Sequence, residues 1–158
     1  MNQHDRKLLL TWLLRLVGLV EMLAFIAVVM PHSWMEASHA WLGLGQMPES
    51  PVLKFLTRQA SYTYGMHGIS LWILSWDVER FRPLILLNGI SFLLAGPVFF
   101  IIDYNAGMPM WWTVEDPLSC ALVGVALLWL SRRQRPDGEA GLHGTGSGSD
   151  GMQSSSST

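Results

Sequence analysis

Four apolar blocks, at residues 8–30, 52–76, 83–102 and 117–130, constrain this chain more than any other feature. A helix needs about 20 mostly apolar residues to cross a bilayer, within a range of about 17–25. The first three blocks meet that length, and the helix of the fourth can continue through Ser131. Hydrocarbon offers no water to the backbone, so such segments cross it as helices. The sequence therefore predicts an all-α integral membrane protein, a four-helix bundle.

The composition fits this class and excludes several others. Only 14% of the residues are charged, whereas soluble domains carry about 25%. The net charge of −2 gives no support for a nucleic-acid surface. A single cysteine, Cys120, excludes an intrachain disulfide and a multi-cysteine metal site. We therefore expect no nucleic-acid partner and look for function in the helices and their loops.

The first block has a second interpretation, a cleaved secretory signal with Arg6 and Lys7 as its basic flank. Arg15 and Glu21 interrupt its apolar core, and no clear A-x-A cleavage site follows. We therefore predict that this block is retained as the first transmembrane helix.

The loops divide sharply by basic residues. The segments 31–51 and 103–116 contain none. The N-terminal arm, the middle connection and the residues after the fourth block contain Arg6, Lys7, Arg80, Arg82, Arg132, Arg133 and Arg135. Loops rich in Lys and Arg stay in the cytoplasm. The sequence therefore predicts that both termini are cytoplasmic.

The second block is the most polar of the four. It contains Arg58, Gln59, Tyr62, Tyr64 and His67. Such groups are costly in hydrocarbon unless they are paired or line a cavity. One side of the predicted helix has the small residues Ser61, Gly65 and Gly68, which favour close helix packing, and a second side has Gln59, Thr63, His67 and Ser70. We therefore expect neighbours on both sides of this helix.

Partners for these groups must come from the other segments. We interpret His67 as a hydrogen-bonded structural residue, with a metal or haem ligand as the alternative, and Asn88 and Arg15 lie at a depth that His67 can reach. Glu21 is either a protonated, hydrogen-bonded group or a ligand or proton site, whereas Arg15 anchors to headgroups.

The outer half of the second helix carries Arg58. Asp116 and Pro117 read as an N-cap followed by the first helical residue, which starts the fourth helix there. That helix would be about 21 Å long, short of a core of about 30 Å. The mismatch would be absorbed either by its arginines, which would slide inward by snorkelling, or by Glu115 and Asp116, which would be drawn into the outer part of the bilayer. We therefore predict a charge cluster of Arg58 with Glu115, Asp116 or Glu21.

The first outer loop contains a short helical pattern. His32, Glu36 and His39 fall on one face, and Trp34 and Trp41 share the opposite face. The pattern predicts a short helix lying in the membrane interface. The alternative is a metal site formed by His32, Glu36 and His39, because imidazole and carboxylate groups there could converge.

The domain organisation follows from these segments. Residues 1–135 are predicted to form one transmembrane domain, with spans at about 8–30, 52–76, 83–102 and 117–131. Residues 136–158 are mostly Gly, Ser, Thr and Asp, and we expect a disordered cytoplasmic tail.

Three phrases resemble a group of small bacterial four-span inner-membrane proteins of unknown function. They are PHSWM with WLGLG in the first outer loop, Leu56-Thr57-Arg58, and GMPMWWTVEDP before the last span. The resemblance covers residues 8–130, and the layout is distantly similar to DoxX-like proteins. It implies a bacterial inner-membrane setting and a compact four-helix unit, and brings no known substrate, cofactor or catalytic residue.

Three functions fit the sequence. The first is a non-catalytic accessory or assembly subunit of a larger membrane complex or homo-oligomer, favoured by the short loops and small-residue helix faces. The second is a binder of, or enzyme acting on, a lipid- or quinone-type molecule, using the polar set Glu21, Arg58, Tyr62, Tyr64, His67, Asn88, Arg15, Glu115 and Asp116. The third is metal binding at the outer face.

Overall fold

The computed structural model describes residues 2–132, and within them the chain is helical and contains no strand. The elements are α1 (Gln3–Met22), α2 (Phe25–Val29), α3 (His32–Trp41), α4 (Pro51–Leu74), α5 (Arg82–Ala106) and α6 (Met110–Leu130). The predicted all-α class is thus confirmed. The tail predicted for residues 136–158 lies outside the described part of the chain.

Three segments of the described residues are long and apolar enough to cross a membrane. They are Gln3–Val29, which joins α1 to α2, and the helices α5 and α6. Their outward faces carry large apolar side chains such as Val29, 80% exposed, and Leu94, 66% exposed. Surfaces of this kind suit contact with lipid rather than water. Helix α4 has 24 residues, which is about 36 Å, but its composition is more polar.

The predicted start of the last helix at Pro117 is wrong, because α6 begins at Met110 and Pro117 lies about two turns inside it. The boundary is set instead by Gly107, which ends α5 with a left-handed φ of 70°, and by Pro109, which precedes α6. The 21 residues of α6 extend about 32 Å, so the expected mismatch with a core of about 30 Å disappears.

Helix α4 packs against α1 and α2, and α5 packs against α6. Glycines allow a very close approach in each pair. A Cβ added to Gly68 would lie 2.5 Å from the carbonyl oxygen of Gly18, and one added to Gly124 would lie 2.8 Å from that of Gly89. Both pairs are therefore antiparallel crossings that only small residues permit.

The buried apolar core lies where α1 begins and α6 ends. Leu10 and Leu14 of α1, Leu71 of α4, Ile85 of α5 and Leu127 of α6 form it. Polar contacts tie the same end together. Lys7 forms an ion pair with Glu79 at 2.8 Å, and Arg82 donates from Nε to the carbonyl of Ser131 at 2.7 Å. The beginning of α1 and the end of α6 therefore lie at the same end of the molecule.

Candidate functional site

His67 lies between two helices that belong to different pairs. Its Nδ1 is 2.6 Å from Glu21 Oε2 on α1, and its Nε2 is 2.8 Å from Asn88 Oδ1 on α5. The Glu21 side chain is only 13% exposed. We call Glu21, His67 and Asn88 the polar triad. In the described residues, the bond from His67 to Asn88 is the only side-chain hydrogen bond between α4 and α5.

The hydrogen-bonding pattern fixes where the protons of the polar triad lie. Asn88 donates from Nδ2 to the Leu84 carbonyl at 2.9 Å, so its Oδ1 is left to accept from His67. His67 Nε2 therefore carries a proton. Nδ1 and Glu21 share one more, either as an imidazolium with a carboxylate or as a neutral imidazole with a carboxylic acid. Both ring nitrogens are occupied, which leaves neither free for a haem or a metal ion in this arrangement.

The register of α1 against α4 explains why Glu21 meets His67. Gly18 crosses Gly68, and Glu21 follows the first by three residues while His67 precedes the second by one. Antiparallel helices that cross at these glycines bring the two polar residues to the same level. Glu21 and His67 were each singled out in the sequence, but their pairing was missed. The two glycines were a partial signal, because a sequence shows the glycines but not which of them meet.

An open groove runs along α4 from the polar triad. Its volume is about 580 Å³, and its lining residues lie three or four apart on one face of the helix: Leu56, Gln59, Ala60, Thr63, Tyr64 and His67. His67 closes one end, where its side chain is 39% exposed. The groove therefore combines polar groups with an apolar wall.

Arg58 is exposed and belongs to none of the ion pairs formed by residues 2–132. Glu21 is held by His67, Glu115 is exposed, and Asp116 is half-buried. The structure therefore does not bring Arg58 into the expected cluster. The physical reason is the longer α6, which accommodates its carboxylates within a full-length helix and does not draw them toward α4.

Arg15 and Tyr62 make other contacts. Arg15 donates from Nε to Ser75 Oγ at 3.3 Å, and its guanidinium lies 5.8 Å from the ring centre of Trp72. Ser75 was not among the residues singled out, although its place at the end of α4 puts it at the depth of Arg15. The ring of Tyr62 packs edge-on against Phe25 at 5.9 Å. These contacts hold α1 and α2 against α4.

The predicted short helix of the first outer loop is present as α3, with Trp34 and Trp41 exposed. His39 Nδ1 lies 3.0 Å from the carbonyl oxygen of Gly45. Among the described residues, no three His, Cys, Asp or Glu side chains are grouped so that they could hold a metal ion. The structure thus does not gather His32, Glu36 and His39 into a ligand set.

Within residues 2–132 the protein is all-helical, has three segments long and apolar enough to cross a membrane, and joins its helices through the polar triad. Comparison with protein-family models, with curated proteins and with solved structures finds no match to this chain.

Proposed function

We propose that this protein crosses the bacterial inner membrane four times. In this proposal α4 crosses the membrane in addition to Gln3–Val29, α5 and α6. The length of α4, about 36 Å, and the hydrogen bonds of its His67 to α1 and α5 support this. The common end of α1 and α6 carries the basic residues, so we assign both termini to the cytoplasm. An impermeant maleimide should label a cysteine introduced at residue 46 in intact cells. Labelling of one at residue 2 instead would overturn the orientation.

The same protein acts, in this proposal, as a non-catalytic accessory or assembly subunit of a larger membrane complex. One observation carries the proposal. Gln59 lies about 12 Å from the start of α4, is exposed, and makes no side-chain hydrogen bond within residues 2–132. An uncovered amide is costly in hydrocarbon. A partner helix with its own polar group would cover it, and the groove beside Gln59 provides the space.

The hydrogen bonding within the polar triad fits this function. Its members bond to one another, which is the arrangement expected when polar groups hold helices together. Thr63 and Ser70 on the same side of α4 donate to carbonyls of their own helix at 2.9 and 3.1 Å, so they need no partner. Gln59 is thus the groove residue that most needs a polar partner.

Native electrophoresis after extraction in a mild detergent tests the proposal. We expect the wild-type protein to migrate in a larger complex, and Gln59→Trp to abolish that complex by filling the groove. Leu94→Trp is the matched control, since Leu94 is 66% exposed on α5 outside the groove, and it should leave the complex intact. A wild-type protein that migrates only as a monomer would sink the proposal.

A second function, binding of a lipid- or quinone-type molecule in the groove, is favoured by a specific observation. The groove ends on the partly exposed ring of His67 and has Gln59 and Tyr64 along it, next to apolar walls. Such a mixture suits a molecule with a polar head and an apolar tail. Mass spectrometry of the purified protein decides: a stoichiometric lipid or quinone lost in Gln59→Trp supports binding, and its absence from the wild type excludes it.

Metal binding by His32, Glu36 and His39 stays a prediction. It requires a rearrangement that brings these three side chains together, because they are not grouped in the described residues. Elemental analysis of the purified protein checks it, and less than one metal ion per chain would end it.

A further inference from the structure

A second cavity lies at the end of the molecule where α1 begins and α6 ends. This is the end opposite to α3. The volume of the cavity is about 710 Å³. Arg6 and Lys7 of α1 line it together with Glu79, Arg82 at the start of α5, and Arg132 after α6. We call it the basic pocket. No function proposed above uses it.

The basic pocket has a strong excess of positive charge. Its lining includes four fixed cations, Arg6, Lys7, Arg82 and Arg132, and one carboxylate, Glu79. That carboxylate is already paired with Lys7 at 2.8 Å. The three arginines are not neutralised by any carboxylate among the described residues that line the pocket. An anion that entered would complete the charge balance of the pocket.

Two of the arginines are held in place by the end of α6. Arg82 donates from Nε to the Ser131 carbonyl at 2.7 Å, and Arg6 donates from Nη2 to the Trp129 carbonyl at 3.4 Å. A guanidinium has five N–H groups, and each of these arginines donates a hydrogen bond from one of them to a carbonyl. The remaining N–H groups stay available in fixed positions, an arrangement that suits recognition of phosphate oxygens.

Ser131 supplies an independent sign of a ligand. The residue is only 5% exposed and lines the basic pocket. Its Oγ is buried and has no hydrogen-bond partner within the described residues. A buried hydroxyl without a hydrogen-bond partner is energetically unfavourable. The Oγ is closed off from water, so it would have to turn toward the pocket before it could donate a hydrogen bond to a phosphate oxygen there.

The pocket also has apolar walls, formed by Leu10, Val78 and Leu130. It therefore combines cations, a free hydroxyl and apolar surface at the end of membrane-spanning helices, where lipid headgroups lie. We propose that the basic pocket binds a phosphate group, and that an anionic phospholipid such as phosphatidylglycerol carries it. The acyl chains of that lipid would continue along the apolar walls into the bilayer.

Native mass spectrometry of the full chain, with titrated lipid, tests this site. Phosphatidylglycerol should bind at least tenfold more tightly than phosphatidylcholine. The double variant Ser131→Ala/Arg132→Gln should weaken phosphatidylglycerol binding about tenfold, since a charge-assisted hydrogen bond and a nearby cation are both lost. Neither side chain donates a hydrogen bond inside residues 2–132, so the variant should fold, and its melting temperature in phosphatidylcholine nanodiscs checks that.

Lys54→Gln is the matched control, because it removes one cation at the start of α4, outside the pocket, and should leave lipid binding unchanged. Equal binding of the two lipids, or equal loss in the control and the double variant, would overturn the proposal. A further arm adds millimolar inorganic phosphate. Displacement of phosphatidylglycerol by phosphate alone would show that the site takes free phosphate and overturn the lipid assignment. The outcome is independent of what occupies the α4 groove.

Discussion

The pairs α1–α4 and α5–α6 are packed in the same way, yet their polarity differs. Each is an antiparallel crossing in which a glycine lies against the backbone of the other helix, at Gly18 and Gly68 in one pair and at Gly89 and Gly124 in the other. Both helices of the second pair are apolar enough to span a membrane, whereas α4 of the first pair is not. Close packing is therefore common to both pairs, whereas only the second pair consists of two helices that are each apolar enough to span a membrane.

The difference separates two tasks. Glycine crossings hold each pair together by van der Waals contact, which needs no polar group. The polar triad then joins the pairs, because His67 of α4 bonds to Glu21 within its own pair and to Asn88 of the other. Two further polar residues of α4, Arg58 and Gln59, have side chains that are exposed and bond to neither pair within the described residues. We place the partner there.

The largest effect is expected at the glycine crossings. Gly68→Ala and Gly124→Ala should each lower the free energy of unfolding by about 1–3 kcal/mol, because the new Cβ would lie 2.5 or 2.8 Å from a backbone oxygen that cannot yield easily. The better helix propensity of Ala offsets about 0.5–1 kcal/mol of this. Reversible unfolding in mixed detergent–SDS micelles measures the change.

Gly89→Ala is the control within the α5–α6 crossing. Its Cβ would first meet the Leu128 side chain at 3.0 Å, which can rotate away. We expect it to cost less than Gly124→Ala. Equal costs at the two positions would mean that backbone contact does not set the packing of this pair.

The sequence predicted the helical membrane class because long apolar blocks have few alternatives in hydrocarbon. It also indicated the close packing of α4, since Gly65 and Gly68 are visible as small residues at helical spacing. It failed at the start of α6, where an Asp–Pro pair resembles a helix start but the earlier Gly107 and Pro109 form the turn. A local N-cap signal was outweighed by the length that the helix needs.

The polar residues were predictable as a set but not in their partners. His67 reaches Asn88 as the sequence suggested, whereas Arg15 bonds to Ser75, and Glu21 bonds to His67 instead of Arg58. Partner choice depends on helix register, and register is set by which glycines cross. A single sequence contains the glycines but does not state which of them meet.

Breaking the polar triad should have a smaller effect than filling a glycine crossing. His67→Leu leaves Glu21 and Asn88 without their partner, and we expect a loss of about 1–2 kcal/mol in unfolding free energy. A double-mutant cycle of Glu21→Leu with His67→Leu should give a coupling energy of about 0.6–1.7 kcal/mol.

Thr63→Val is the control for the triad, because Thr63 lies on the same side of α4 and its hydroxyl bonds only to the Gln59 carbonyl of its own helix. It should change stability by less than about 0.5 kcal/mol. A coupling energy near zero between Glu21 and His67 would show that their contact does not help to join the helices.

The smallest effect is expected at Arg58, and it decides between the sequence-based charge cluster and the observed geometry. A cluster would make Arg58→Gln strand a buried carboxylate and cost several kcal/mol. The exposed Arg58 of the structure forms no ion pair within residues 2–132, so the change should stay within about 0.5 kcal/mol. Melting temperature in detergent measures it, with Lys54→Gln on the same helix as the reference.

A marked loss of stability in Arg58→Gln alone would restore the cluster and place Glu115 or Asp116 beside α4. An unchanged melting temperature, combined with loss of the larger complex on native electrophoresis, would instead show that Arg58 acts on a partner rather than on its own chain.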